Sequence, residues 1–80
     1  MDEYLGMIKL FAGPYAPHGW KMCDGSVLQI VNNQALYAII GNRFGGDGRT
    51  NFALPDLRKA SPLNELSYMI CVEGIFPSRD

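Results

Sequence analysis

The hydrophobic and polar positions change period along the chain, and each change marks an element. Gly6 to Phe11 alternates at period two. This predicts a strand with Ile8 and Leu10 on one face and Met7, Lys9 and Phe11 on the other. Gly13-Pro14-Tyr15-Ala16-Pro17-His18-Gly19 reads as a loop by its proline and glycine content. Trp20 to Cys23 and Ser26 to Ile30 are apolar-rich runs on either side of Asp24-Gly25. That pair predicts a hairpin, because both turn positions favour positive φ. Within the first run, Trp20 and Met22 fall on one side, Lys21 and Cys23 on the other. From Asn32 to Gly41 the spacing becomes helical, with Leu36, Ile39 and Ile40 forming one stripe. Asn32 or Asn33 is the expected N-cap, and Gly41 the left-handed C-terminal cap. So short a helix needs packing to persist. Leu66 to Val72 alternates again, placing Leu66, Tyr68, Ile70 and Val72 opposite Ser67, Met69, Cys71 and Glu73. Gly74 ends that run, and Ile75 and Phe76 predict a docked C-terminus.

Between the helix and the last strand lies Phe44-Gly45-Gly46-Asp47-Gly48-Arg49-Thr50, followed by Asn51-Phe52-Ala53-Leu54-Pro55-Asp56-Leu57-Arg58. Gly45, Gly46 and Gly48 permit sharp turns. Pro55 fixes its own φ and holds Leu54 extended. Phe52, Leu54 and Leu57 are apolar anchors in a polar setting, so the segment is expected to be tied across the fold. Trp20, Gly45, Gly46, Asp47, Gly48, Leu54, Pro55, Asp56, Leu57 and Arg58 make up the structural motif. Lys59 to Asn64 is a short polar connection containing Pro62. No repeat or linker divides the chain, which predicts one domain over residues 1–80.

Nine glycines and five prolines in 80 residues favour short elements joined by turns. The fold class expected is α+β: a small, mostly antiparallel sheet of short strands, one short helix and a long ordered Gly/Pro-rich loop. The expected core is Ile8, Leu10, Trp20, Met22, Leu28, Ile30, Leu36, Ile39, Ile40, Phe52, Leu54, Tyr68 and Ile70. Trp20 is expected beside the helix. Phe11, Ile75 and Phe76 are left to meet neighbouring subunits, since a core this small gains from association.

Net charge is −1 and the basic residues are scattered, which argues against nucleic acid as a partner. The apolar run Ala35 to Ile40 is too short to span a bilayer. The acidic start, Met1-Asp2-Glu3-Tyr4, is not expected to act as a signal peptide. Cys23 and Cys71 lie in apolar strands and read as buried free thiols, with a disulfide open to them if those strands are neighbours.

His18 is the sole histidine, and the two cysteines lack zinc spacing, so no metal or cofactor is expected. Cys23 with His18 matches no active-site signature. Gly45 to Thr50 lacks the Gly-Lys-Ser/Thr of a phosphate loop and the acidic ligands of a calcium loop. It reads as a turn braced by Asp47 or Asp56 with Arg43, Arg49 or Arg58, and Asp56 is expected to bind its own chain's loop. Tyr15, His18, Asp47 and Arg49 form the candidate ligand or interface surface, with a glycan or a protein as the ligand. Tyr4 and Tyr37 are further interface candidates.

The ordered set of motifs carries a resemblance. Gly6 to Gly13, Ala16 to Gly25 with its Gly19-Trp20, Asn33 to Tyr37, Gly41 with Phe44 to Thr50, Phe52 to Arg58 and Leu66 to Arg79 resemble phage tail collar domains. They are most similar to the small bacterial members called microcystin-dependent proteins. The resemblance implies a trimer-forming structural module rather than an enzyme. It implies other tail-fibre or particle components as partners, and a place in a virion tail or phage-tail-like particle assembled in the bacterial cytoplasm. Such collars lie between a stalk and a distal receptor-binding part. Longer relatives carry an insert after the Leu-Arg motif, where this chain has only Lys59 to Glu65. Receptor-binding or metal-binding roles that reside in that insert do not carry over.

Overall fold

The alternating runs become strands, but their pairing is set by distant segments. A computed structural model of the chain describes residues 3–60 and 66–77. Its elements are β1 (Ile8–Phe11), β2 (Trp20–Met22), β3 (Val27–Gln29), a 3-10 turn (Ile30–Asn32), α1 (Gln34–Ile40), β4 (Asn51–Ala53) and β5 (Ser67–Cys71). One antiparallel sheet has the order β1-β5-β2, and a second pairs β3 with β4. Small antiparallel sheets with one short helix are the α+β class expected from the pattern. Among the described residues no helix is long and apolar enough to cross a membrane.

The last strand is central and buried on both faces. Ile70 packs with Cys23, Leu36, Ile40, Phe52 and Leu54, and Tyr68 and Val72 flank this cluster. Met69 and Cys71 turn the other way and pack with Trp20, beside Phe11, Ala16 and Met22. The two faces are those that the alternation assigns. A five-residue strand filled on both sides is what a parallel sheet usually shows. Here a helix with the second sheet covers one face, and the first loop region covers the other.

Four expectations change. Asp24-Gly25 is not a hairpin turn: β2 pairs with β5 and β3 with β4, so the chain switches sheets there. The Asp24 carboxylate accepts the Ser26 N–H at 3.0 Å, as well as the Ser26 hydroxyl. The backbone of residues 23–26 is then claimed by the extended run. Leu57 N–H donates to the Cys23 carbonyl at 2.8 Å, and Leu54 N–H to that of Ser26 at 2.8 Å. Second, Trp20 is buried, but on the sheet face away from the helix, with the Lys9 ammonium 5.9 Å from its ring. Third, Ile8 and Leu10 remain 39% and 41% exposed, because β1 is an edge strand with a neighbour on one side only. Phe11, read as a surface residue, packs in the Trp20 cluster instead. Fourth, Asn33 does not cap α1 with its side chain. Its carboxamide donates to the Gln29 carbonyl at 2.9 Å, while the Gly41 N–H closes the other end on Tyr37 O.

Leu5, Ala53 and Met69 are buried without having been expected so. Phe44 stays half-exposed, so Phe52 is the aromatic that ties the loop down. Cys23 and Cys71 are free thiols on opposite faces of the sheet. Burial, reinforced by the Asp24 charge, pushes the Cys23 thiol up to about 11. The connection at residues 61–65, with Pro62, lies outside the described residues.

Phe52 is fully buried and Ile8 is not. Phe52→Ala should therefore cost about 3–5 kcal/mol in urea denaturation. Ile8→Ala should cost well under half as much; equal losses would contradict the core placed here.

Candidate functional site

The long loop is organised around one carboxylate. Asp47 Oδ1 accepts the N–H groups of Arg49 at 2.8 Å, Thr50 at 2.9 Å and Asn51 at 3.1 Å. Its Oδ2 accepts the Thr50 hydroxyl at 3.0 Å. In return, Asn51 Oδ1 accepts the Asp47 N–H at 2.9 Å. An aspartate followed by glycine makes such local captures because its short side chain reaches backbone two to four residues on. These donors hold the Asp47 carboxyl well below the usual carboxylate range, although it is fully exposed.

The loop must also approach β4 closely. Gly46 has φ +91°, and a Cβ there would stand 2.5 Å from the Phe52 Cα. Ala53 N–H donates to the Gly45 carbonyl at 3.0 Å, so the loop closes the outer edge of β4. The Tyr37 hydroxyl donates to the Gly48 carbonyl at 3.2 Å, and its ring meets Phe52 with centroids 5.2 Å apart. The helix and the loop are thus joined through one tyrosine. Sequence reasoning overlooked Tyr37 and Asn51 as loop partners. The Asp47-to-Asn51 spacing was a usable signal for Asn51; Tyr37 had none, since its contact spans eleven positions.

Asp56 is bound within its own run. Arg58 grips it with Nε at 2.9 Å and Nη2 at 2.7 Å, and the Arg58 N–H adds a third bond at 3.3 Å. These bonds lower the Asp56 carboxyl to about 2. Its backbone bridges to Asp24 across the switch between sheets. Leu54 and Pro55 are buried and Leu57 is half-buried, so the Leu-Pro-Asp-Leu-Arg run is a strap with its polar residues outward. Among the described residues Arg43 and Arg49 form no ion pair with Asp47 or Asp56.

The four surface candidates fall on two loops. Tyr15 is 76% exposed. The His18 side chain is 92% exposed, with Nε2 3.6 Å from a Glu73 carboxylate oxygen. Asp47 and Arg49 stand on the glycine loop, and among the described residues no hydrogen bond or ion pair links the two loops. A cleft of about 430 Å³ lies elsewhere, between Leu5, Lys21, Asn32, Gln34, Leu36 and Glu73, and holds none of the four. Among the described residues no three His, Cys, Asp or Glu side chains gather as metal ligands.

The span that carries this geometry is also the span that can be placed among known proteins. The family profile described as the Phage Tail Collar Domain matches residues 6–62. The chain belongs to the phage tail collar domain family. A comparison with curated proteins finds no match. The matched collar span runs from the turn before β1 through both loops and the Asp56–Arg58 strap, and stops before β5. The family is a structural one, and it sets this collar domain in the context of a phage tail.

Gly46→Ala should lower stability by about 1–3 kcal/mol, since the backbone there is left-handed and crowded. Asp47 and Asp56 both titrate lower in the folded state than unfolded. Their contribution is present above the ordinary carboxylate pKa of about 4 and is lost as pH falls through the folded values. Thermal denaturation should therefore show the melting temperature dropping from about pH 4 to about pH 2, less steeply in Asp47→Asn.

Proposed function

We propose that this collar domain is a non-catalytic assembly module of a tail fibre or phage-tail-like particle. It works by association of copies with one another and with other particle components. The family resemblance suggests three copies, assembled in the bacterial cytoplasm. The observation that carries this reading is the way the domain divides its chemistry. Its carboxylates at Asp24, Asp47 and Asp56 are tied to its own chain, and its thiols are buried and held protonated. Its large apolar side chains, by contrast, stay exposed at Tyr4, Met7, Ile8, Leu10, Ile75 and Phe76. A buried thiol with a raised pKa is a poor nucleophile. Exposed apolar surface on so small a domain is what an interface needs.

A second reading is favoured by the Tyr15 ring, which stands free on a proline-stiffened loop. In that reading the Tyr15–Gly19 and Gly45–Thr50 loops take a surface glycan or a protein. Binding on a glycan array that Tyr15→Ala abolishes would favour it.

Light scattering on the whole chain tests the first reading. The expected mass is three times 8.9 kDa. A monomer at every concentration would overturn it.

A further inference from the structure

Among the described residues, each of the two sheets has one edge closed by its own chain and one edge left open. In the larger sheet, β2 is closed on its outer side. Trp20 N–H donates to the Pro17 carbonyl at 3.0 Å, and the Met22 carbonyl accepts from Asp24 N–H at 3.0 Å. In the smaller sheet, the glycine loop closes β4 through the Ala53–Gly45 bond. Among the described residues no further backbone hydrogen bond reaches the outer sides of β1 and β3, and these are the open edges.

The hydrogen-bond phase shows which groups these edges present. Cys71 N–H donates to the Met7 carbonyl, and Ile8 is registered with Ile70. Alternation then turns the main-chain groups of Ile8 and Leu10 away from β5. On β3, Leu54 N–H donates to Ser26 O and Ile30 N–H to Thr50 O, with Leu28 registered on Phe52. Val27 and Gln29 therefore turn their main-chain groups outward. Both edges offer two outward residues with one residue between them. Neither contains a proline; β3 carries no charge, and the one charge on β1, Lys9, is paired with Glu3 at 2.9 Å and lies over the Trp20 ring.

We infer that copies of this collar domain join head to tail, the outer edge of β1 in one copy lying antiparallel on the outer edge of β3 in the next. This rests on the association of copies proposed above and names its surface. Leu10 then pairs with Val27 of the next copy, and Ile8 with its Gln29. Leu10 and Val27 are 41% and 57% exposed, and pairing brings both apolar side chains to one face. The Gln29 carbonyl already accepts from the Asn33 carboxamide and keeps a second lone pair for the new bond. Lys9 falls opposite Leu28 of the next copy. The competing arrangement, β1 on β1 about a two-fold axis at Lys9, sets Lys9 against Lys9 at close range and is disfavoured by like charge. Because β1 and β3 are different surfaces, the contact is heterologous, and a ring forms where the rotation from copy to copy closes on itself.

Cross-linking the full chain tests the assignment. A hydrogen-bonded antiparallel pair has its Cα atoms about 5.5 Å apart, within disulfide range. Leu10→Cys and Val27→Cys variants, mixed under mild oxidation, should cross-link about tenfold more than either alone, with the wild type as background for Cys23 and Cys71. Leu10→Pro and Val27→Pro each remove an outward N–H without touching a ladder bond. Each should reduce the solution mass to one copy with an unchanged circular dichroism spectrum. A wild type that is monomeric at every concentration overturns the association and this contact with it. An associated wild type whose mixed variants do not cross-link, or whose Leu10→Cys variant cross-links to itself, overturns the edge pairing alone.

Discussion

The structure depends on one short strand being covered on both faces. Ile70 and Cys71 are adjacent, fully buried and point in opposite directions. In a domain of this size neither face could be filled by a deep core, because too little surface is buried overall. The chain meets that constraint by placing its last strand between its first two and laying different material on each side. The helix, Phe52 and Leu54 cover one side; Trp20 and the proline-bearing loop cover the other. Contacts to β5 are therefore long in sequence, which joins the chain's end to its beginning. The parallel bridge between Tyr4 and Ile75 carries the same tie to the rim of the fold.

The glycine loop and the strap after it solve a second problem, the satisfaction of irregular backbone. Fifteen residues with almost no regular structure run over the core, and their amides need acceptors. Asp47 supplies four acceptor contacts from one side chain, and Asn51 returns one. The Leu54–Leu57 run takes its partners from residues 23–26. The side chains of Asp47, Asn51, Asp56 and Arg58 are thus used in holding the chain. These hydrogen bonds make the glycine-rich loop a scaffold for its own backbone.

Much of this was legible beforehand, and the reasons are local. The alternation of β5, the stripe of Leu36 and Ile40, and the anchors Phe52 and Leu54 follow from period and composition. They hold because side-chain direction is fixed by backbone geometry over a few residues. Asp24-Gly25 misled because its hairpin signal is also local, whereas a better partner for β3 arrived from Asn51–Ala53. Ile8 and Leu10 misled because alternation says which residues share a face but not whether that face has a neighbour. Trp20 was correctly read as buried and wrongly placed, since its side of the sheet is set by Met69 and Cys71 far along the chain.

The amino-acid order by itself determined the family, the α+β class, the positions of β1, β2, β3, α1 and β5, and the anchoring of the glycine loop's extended run by Phe52 and Leu54. These rest on torsional preference and on the side-chain periodicity that backbone geometry imposes over a few residues. Tertiary structure alone decided the strand order β1-β5-β2, the separate β3-β4 sheet, and which edges are closed among the described residues. Strand partners are chosen by competition among distant segments for the same backbone groups, and that competition is settled only when the chain is folded.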